Sequence, residues 1–190
     1  MAPILGIYAS SASPNVYANS YESIATATAA GGETSLSFTS IPSTYQHLQI
    51  RAITRDTNTG AAGATSIQAR YNSDSGANYT YHYLYGNGSS AGPLGATAGT
   101  WYISQGSVTA NTTANVFTSL IFDIADYANT SKYKTTRWVS AQNANSTSAA
   151  YYIQLNSGLW TSTAAINSIA FYAQTAFAAG TTFALYGIKG

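Results

Sequence analysis

A chain of 190 residues with 45% hydrophobic residues can bury the core of one sizeable domain, which excludes wholesale disorder. Charged residues make up only 7% of the chain and the formal net charge is +1, so the basic footprint that nucleic acid or an anionic membrane requires is missing. The same scarcity leaves few titratable groups from which to build the site of an ordinary hydrolase or kinase.

Cysteine is absent, which removes disulfides, thiolate metal sites and thiol nucleophiles. Polarity comes instead from Ser, Thr, Asn and Gln, and with 16 Gly and 16 Tyr the composition favours strands and turns. No apolar run approaches the ~20 residues that span a bilayer, so membrane insertion is not expected. Met1 to Ala9 hold one short apolar stretch with no Lys or Arg ahead of it, and no Sec-type export signal is expected.

In chain order, residues 1–19 read as an N-terminal arm. Ile4, Leu5, Ile7 and Tyr8 form a small apolar patch suited to partner contact, and Ser10 to Asn15 break any regular element. Strand signals follow over Glu22 to Thr28 and Ser35 to Ile41, the second stopped by Pro42. Tyr45 to Arg55 alternates most cleanly. Leu48, Ile50 and Ala52 fall on a core face, and Tyr45, His47, Gln49, Arg51 and Arg55 fall on the other, with Ile53 the exception.

Ser66 to Tyr71 and Tyr79 to Tyr85 read as further strands around a turn at Asn72 to Asn78. Gly86 to Thr100, rich in Gly, Ser and Ala, reads as a long loop, followed by a short strand over Trp101 to Gln105. Val116 to Ile124 is apolar on both faces and predicts a central strand covered on both sides. Asp126 to Lys134 is a polar turn. Thr135 to Ala141, Ala149 to Asn156, Ala165 to Tyr172 and Thr182 to Ile188 complete the strands.

No segment keeps a helical period over twelve or more residues, and no internal repeat stands out. The spacing predicts an all-β fold, an antiparallel β-sandwich of jelly-roll-like topology. Residues 20–190 are expected to form one domain, since each half alone would have a weak core.

The two histidines, His47 and His82, sit in separate strand signals without further ligands nearby, so strand-face roles are expected rather than a metal site. Among the six acids, Asp126 is expected to cap its turn and Asp123 to pair with a base such as Arg137. There is no G-x-S-x-G elbow, and Gly86 to Ser90 lacks the Lys-Ser/Thr ending of a phosphate loop. No catalytic residue and no cofactor is assigned. Tyr79, Tyr81, Tyr83 and Tyr85 share one strand face, which could be core, subunit interface or a sugar-stacking platform. With Tyr45, Gln49 and Arg51 they form the candidate interface residues.

Several stretches carry a resemblance: Ser40-Ile41-Pro42-Ser43-Thr44-Tyr45-Gln46-His47-Leu48-Gln49-Ile50-Arg51, Tyr71 to Asp74 leading to Tyr81 to Ser90, Asp123 to Thr135, Phe183 to Gly190, and the opening Pro3 to Ser11. Together they resemble virion proteins of tailed bacteriophages, frequent among phages of aquatic bacteria including cyanobacteria. The resemblance implies a non-enzymatic particle component assembled in the host cytoplasm, either a head decoration (cement) protein or a tail-fibre module. It further implies contact with a major capsid protein or other virion proteins, and a homotrimer or docking around three-fold points. A fibre role would add host-surface glycan as a partner.

Overall fold

The structure is a computed structural model that describes residues 20–60, 63–143 and 152–190, with residues 103–105 described by backbone alone. Twelve strands follow one another: β1 (Tyr21–Thr28), β2 (Ser35–Phe38), β3 (His47–Thr54), β4 (Ala64–Tyr71), β5 (Tyr79–Gly86), β6 (Ala91–Gly99), β7 (Tyr102–Val108), β8 (Thr118–Ile124), β9 (Lys134–Gln142), β10 (Tyr152–Trp160), β11 (Ile169–Ala173) and β12 (Thr182–Ile188). The described residues contain no helix. An eight-stranded sheet runs β1-β12-β3-β8-β9-β10-β5-β6, and a four-stranded sheet runs β2-β11-β4-β7. All strand pairs are antiparallel, and the first and last strands lie side by side. The fold is the expected all-β antiparallel sandwich.

Aromatic rings join the two layers. From Tyr79, 5.0 Å from Tyr102 between ring centroids, the column continues to Trp138 at 5.5 Å, Phe122 at 5.3 Å, Phe171 at 5.8 Å, Phe183 at 4.5 Å and Phe177 at 5.5 Å. Each neighbouring pair adds roughly 0.5–1.5 kcal/mol beyond the area it buries. Leu48, Ile50 and Ala52 of β3 are buried against this column, as the alternation predicts.

The loops at the sheet ends are closed by polar side chains. Arg55 lies beyond the end of β3, and its guanidinium donates to Thr112 Oγ1 and to the carbonyls of Ala110, Thr112, Thr113 and Val116. The alternation places Arg55 on the outer strand face; instead it clamps a loop, because β3 ends at Thr54. Asp56 is fully buried and accepts from the amides of Asn58, Gln174 and Thr175 and from Thr65 Oγ1. Lys134 is also fully buried, and its ammonium donates to the carbonyls of Asn129, Lys132 and Thr163.

Three expectations are corrected. Gly86 to Thr100 is mostly strand, because β6 pairs with β5 along its length. Its small residues make room for that partner: a Cβ at Gly95 would stand 2.6 Å from His82 Cδ2, and one at Gly92 3.0 Å from Tyr85 Oη. Residues 116–124 are not covered on both faces. Within β8 the buried residues Thr118, Leu120, Phe122 and Ile124 alternate with outward Ser119 and Ile121. Tyr45 precedes β3 and does not join its outer face. Its ring lies over Gly187, where a Cβ would stand 2.3 Å away, on the same side of β12 as the buried Leu185.

Gly158 of β10 admits a ring from the opposite sheet. A Cβ there would stand 2.5 Å from Tyr102 Cε1 and 3.0 Å from Trp138 Cζ3. Gly158→Ala should destabilise the fold by about 1–3 kcal/mol, the usual range for overpacking. Equilibrium denaturation with urea reads this directly, with Gly60→Ala as a comparison, an exposed site where a Cβ would meet only Asn58 Oδ1 at 3.7 Å. Equal midpoints for Gly158→Ala and the parent chain would refute the packing account.

Candidate interaction surface

The outer face of the eight-stranded sheet is organised in rows set by strand register. One row crosses it as Tyr186, Gln49, Asp123, Arg137, Ser157, His82 and Gly95. Its charges are neutralised locally: Arg137 Nε donates to Asp123 Oδ2 at 3.0 Å, the expected pairing, and Gln49 Nε2 donates to Asp123 Oδ1 at 2.7 Å. Arg51 Nε donates to Gln49 Oε1 at 3.0 Å, and its guanidinium lies 5.5 Å from the Tyr21 ring centroid. Of the candidate interface residues, Gln49 and Arg51 therefore stand together on an accessible face.

The next row is apolar beyond its first residue, Arg51. It crosses as Arg51, Ile121, Val139, Leu155, Leu84 and Pro93. Ile121 and Val139 are each 41% exposed, Leu155 58% and Leu84 61%. The row after that holds Ile53, Ser119, Ala141, Ile153, Gly86 and Ala91, of which Ile53 and Ile153 are also exposed. Scattered surface aliphatics are ordinary, whereas these are brought together by register on one sheet face.

The apolar rows follow from register rather than from local alternation. In β10, Ile153 and Leu155 point outward while Gln154 and Asn156 are buried, the reverse of what their polarity suggests. Trp160 and Gly158 fix this arrangement. Trp160 is buried with its Nε1 donating to Asp74 Oδ2 at 2.6 Å, and Gly158 faces Tyr102. Period 2 then carries Asn156 and Gln154 inward and Leu155 and Ile153 outward. Inversion is costly: Asn156 Oδ1 is buried without a hydrogen-bond partner among the described residues. Sequence alternation alone misses this surface, although the run Ile153-Gln154-Leu155-Asn156 beside a Gly and a Trp carries the signal.

The tyrosine face divides along β5. Tyr79 and Tyr81 are 0% and 7% exposed, so they belong to the core and do not form a subunit surface. Burial raises both hydroxyl pKa values, that of Tyr79 to about 12. Tyr83 and Tyr85 continue the ladder into partial exposure, with Tyr83 6.3 Å from Tyr81 and nearly parallel to it, and Tyr85 6.1 Å from Tyr152. An open groove of about 800 Å³ follows β5, β6 and β10, lined among others by the outward His82, Leu84, Pro93 and Leu155. Ile4, Leu5, Ile7 and Tyr8 lie outside the described residues.

His47, Asp126 and Lys132 meet beyond the end of β8. His47 Nδ1 accepts the Asp126 amide at 3.0 Å, and Lys132 Nζ meets Asp126 Oδ2 at 3.0 Å. Among the described residues no three His, Cys, Asp or Glu side chains cluster as metal ligands. The Lys132 ammonium holds the Asp126 carboxyl below the ordinary aspartate range. Lys189, then Tyr45, does the same for Glu22, and backbone amides including those of Ala30 and Gly31 for Glu33. Burial pushes Asp74 up, but donors from Trp160, Asn78 and Gly76 outweigh it and leave the group lowered.

A carboxyl lowered in the native state stabilises the fold above its unfolded pKa, and that stabilisation is lost as pH falls through the native value. The ordinary values are 3.8 for Asp and 4.5 for Glu. The melting temperature should therefore hold level from pH 7 to about 5 and fall steadily below about 4.5. A melting temperature that rises on acidification to pH 3 would contradict these assignments.

No protein-family model, curated protein or solved structure matches the chain.

Proposed function

We propose that the chain is a non-enzymatic structural protein of a tailed-phage particle, a decoration or cement protein that stabilises the head. The observation that carries this reading is the inverted polarity of β10, which buries Gln154 and Asn156 and presents Ile153 and Leu155 to the outside. Internal packing of Gly158 and Trp160 sets that facing, and covering by neighbours would remove the exposed Ile153 and Leu155 from water. Local neutralisation of Asp123 by Arg137 supports the same reading, since like surfaces can approach without repulsion. The partners are a major capsid protein or other virion proteins together with further copies of the chain, and assembly takes place in the host cytoplasm. The reading requires copies to touch one another and does not depend on whether they number three.

A second reading has its own observation. The partly exposed Tyr83, Tyr85 and Tyr152 carry the inner face of the eight-stranded sheet beyond the buried Tyr79 and Tyr81, an arrangement suited to stacking on the apolar face of a sugar. A tail-fibre or spike module that binds host-surface glycan would use it. Antiparallel double-sheet architectures, jelly rolls among them, serve both viral capsids and lectins, so the fold favours neither reading.

Mass spectrometry and imaging of purified particles test the choice. A cement protein should appear on the head at close to one copy per capsid subunit. Confinement to the tail tip, with binding on a glycan array that Tyr83→Ala and Tyr85→Ala abolish, would replace it with the fibre reading. Deleting residues 2–14 should leave a folded, soluble protein that attaches poorly to particles. Full occupancy by the truncated chain would remove the N-terminal residues from the attachment mechanism.

A further inference from the structure

The outer face of the eight-stranded sheet is self-complementary, and we propose that two copies of the chain stack through it about a two-fold axis. The axis runs parallel to the strands, between β9 and β10. Such an axis sets β9 opposite the second copy's β10, β8 opposite its β5 and β3 opposite its β6, while each row stays opposite itself.

The rows then match one by one. In the apolar row, Val139 faces the second copy's Leu155 and Ile121 faces its Leu84, which places the four most aligned exposed aliphatics in contact. In the neighbouring row large side chains meet small ones: Ile153 faces the second copy's Ala141, Ile53 faces its Ala91, and Ser119 faces its Gly86. In the polar row Asp123 faces the second copy's His82 and Arg137 faces its Ser157. No pair in these rows sets like charges opposite one another. A two-fold axis at right angles to the strands would instead put the polar row of one copy over the Ile53–Ile153 row of the other.

The size is adequate. Six strands and three rows, at ~4.8 Å between strands and ~6.8 Å between like-facing residues, cover roughly 600 Å² of sheet plane per copy. Side-chain relief brings this close to the ~800 Å² per partner of a standard interface. Stacked sheets ordinarily lie ~10 Å apart with strands inclined by about 30°. The proposal deepens the particle reading by naming the contact between copies, but it stands on the sheet face alone.

The test uses the full chain in solution. Sedimentation velocity and light scattering should show a dimer at ~100 µM, a concentration suited to an interface of this size. Leu155→Glu places an unpaired charge at the centre of an exposed face and should leave the fold intact while weakening association by roughly a hundredfold. Because the chain has no cysteine, single-cysteine variants report the geometry cleanly. A bis-maleimide matched to the ~10 Å separation should link a mixture of Ile121→Cys and Leu84→Cys proteins, and of Val139→Cys and Leu155→Cys. Ile121→Cys alone should not link to itself.

A monomer at that concentration, a trimer, a dimer indifferent to Leu155→Glu, or efficient self-linking of Ile121→Cys would each overturn the proposal. Failure of the particle reading looks different: a dimer with the expected cross-links that is found on no particle keeps the stack and removes the cement role. Particles decorated by a monomeric chain would do the reverse.

Discussion

The closeness of Tyr102 to Gly158 governs the architecture. The chain has no cysteine and few charges, so aromatic rings carry much of the contact between its two sheets. The column from Tyr79 through Tyr102, Trp138 and Phe122 to Phe171 and Phe183 needs Tyr102 of β7 to reach the backbone of β10, and only a residue without a side chain admits it. Once Gly158 is fixed inward, the facing of every residue in β10 is decided. Pairing with β9 and β5 then transmits that parity across the sheet, so a packing requirement inside determines which aliphatics appear outside.

This also explains how far the sequence could be read. Where hydrophobic alternation and packing agree, as at Leu48, Ile50 and Ala52, strand and facing are both legible. The last strand, Thr182–Ile188, is recovered at its boundaries. The Asp123–Arg137 pair is legible because a charge-poor chain leaves few partners to choose from. β6 was hidden by its composition. Gly and Ala signal a loop, yet here they admit the side chains of His82 and Tyr85 from the neighbouring strand. The outward aliphatics of β10 were hidden for a different reason: local polarity gives the wrong facing when a distant ring sets the register. Tyr79 and Tyr81 share a face with Tyr83 and Tyr85, but alternation cannot tell where along a strand the opposing layer ends.

Polar side chains in this protein act mainly as fasteners for the chain's own loops. Arg55 gathers the carbonyls of residues 110–116, Asp56 gathers amides from two loops, and Lys134 is saturated by three carbonyls. Such groups are poor candidates for chemistry, since each is already committed to backbone partners whose desolvation it offsets. What the molecule presents outward is shape and apolar surface with balanced charge. That combination suits recognition by contact between large faces.

The unequal sheets carry a kinetic consequence. Four strands cannot shield eight, and β6 stands at the far edge with no residue fully buried. Its amides are tied to β5 alone, whereas those of β3, β8 and β9 lie in the middle of the ladder over the aromatic column. Opening should therefore begin by peeling β6 from β5, at a free energy well below that of global unfolding. Deuterium would enter this hairpin first and the centre of the sheet last. The same hairpin carries Leu84 and the groove beside it, so the surface offered to a partner is also the part of the fold most able to adjust to one.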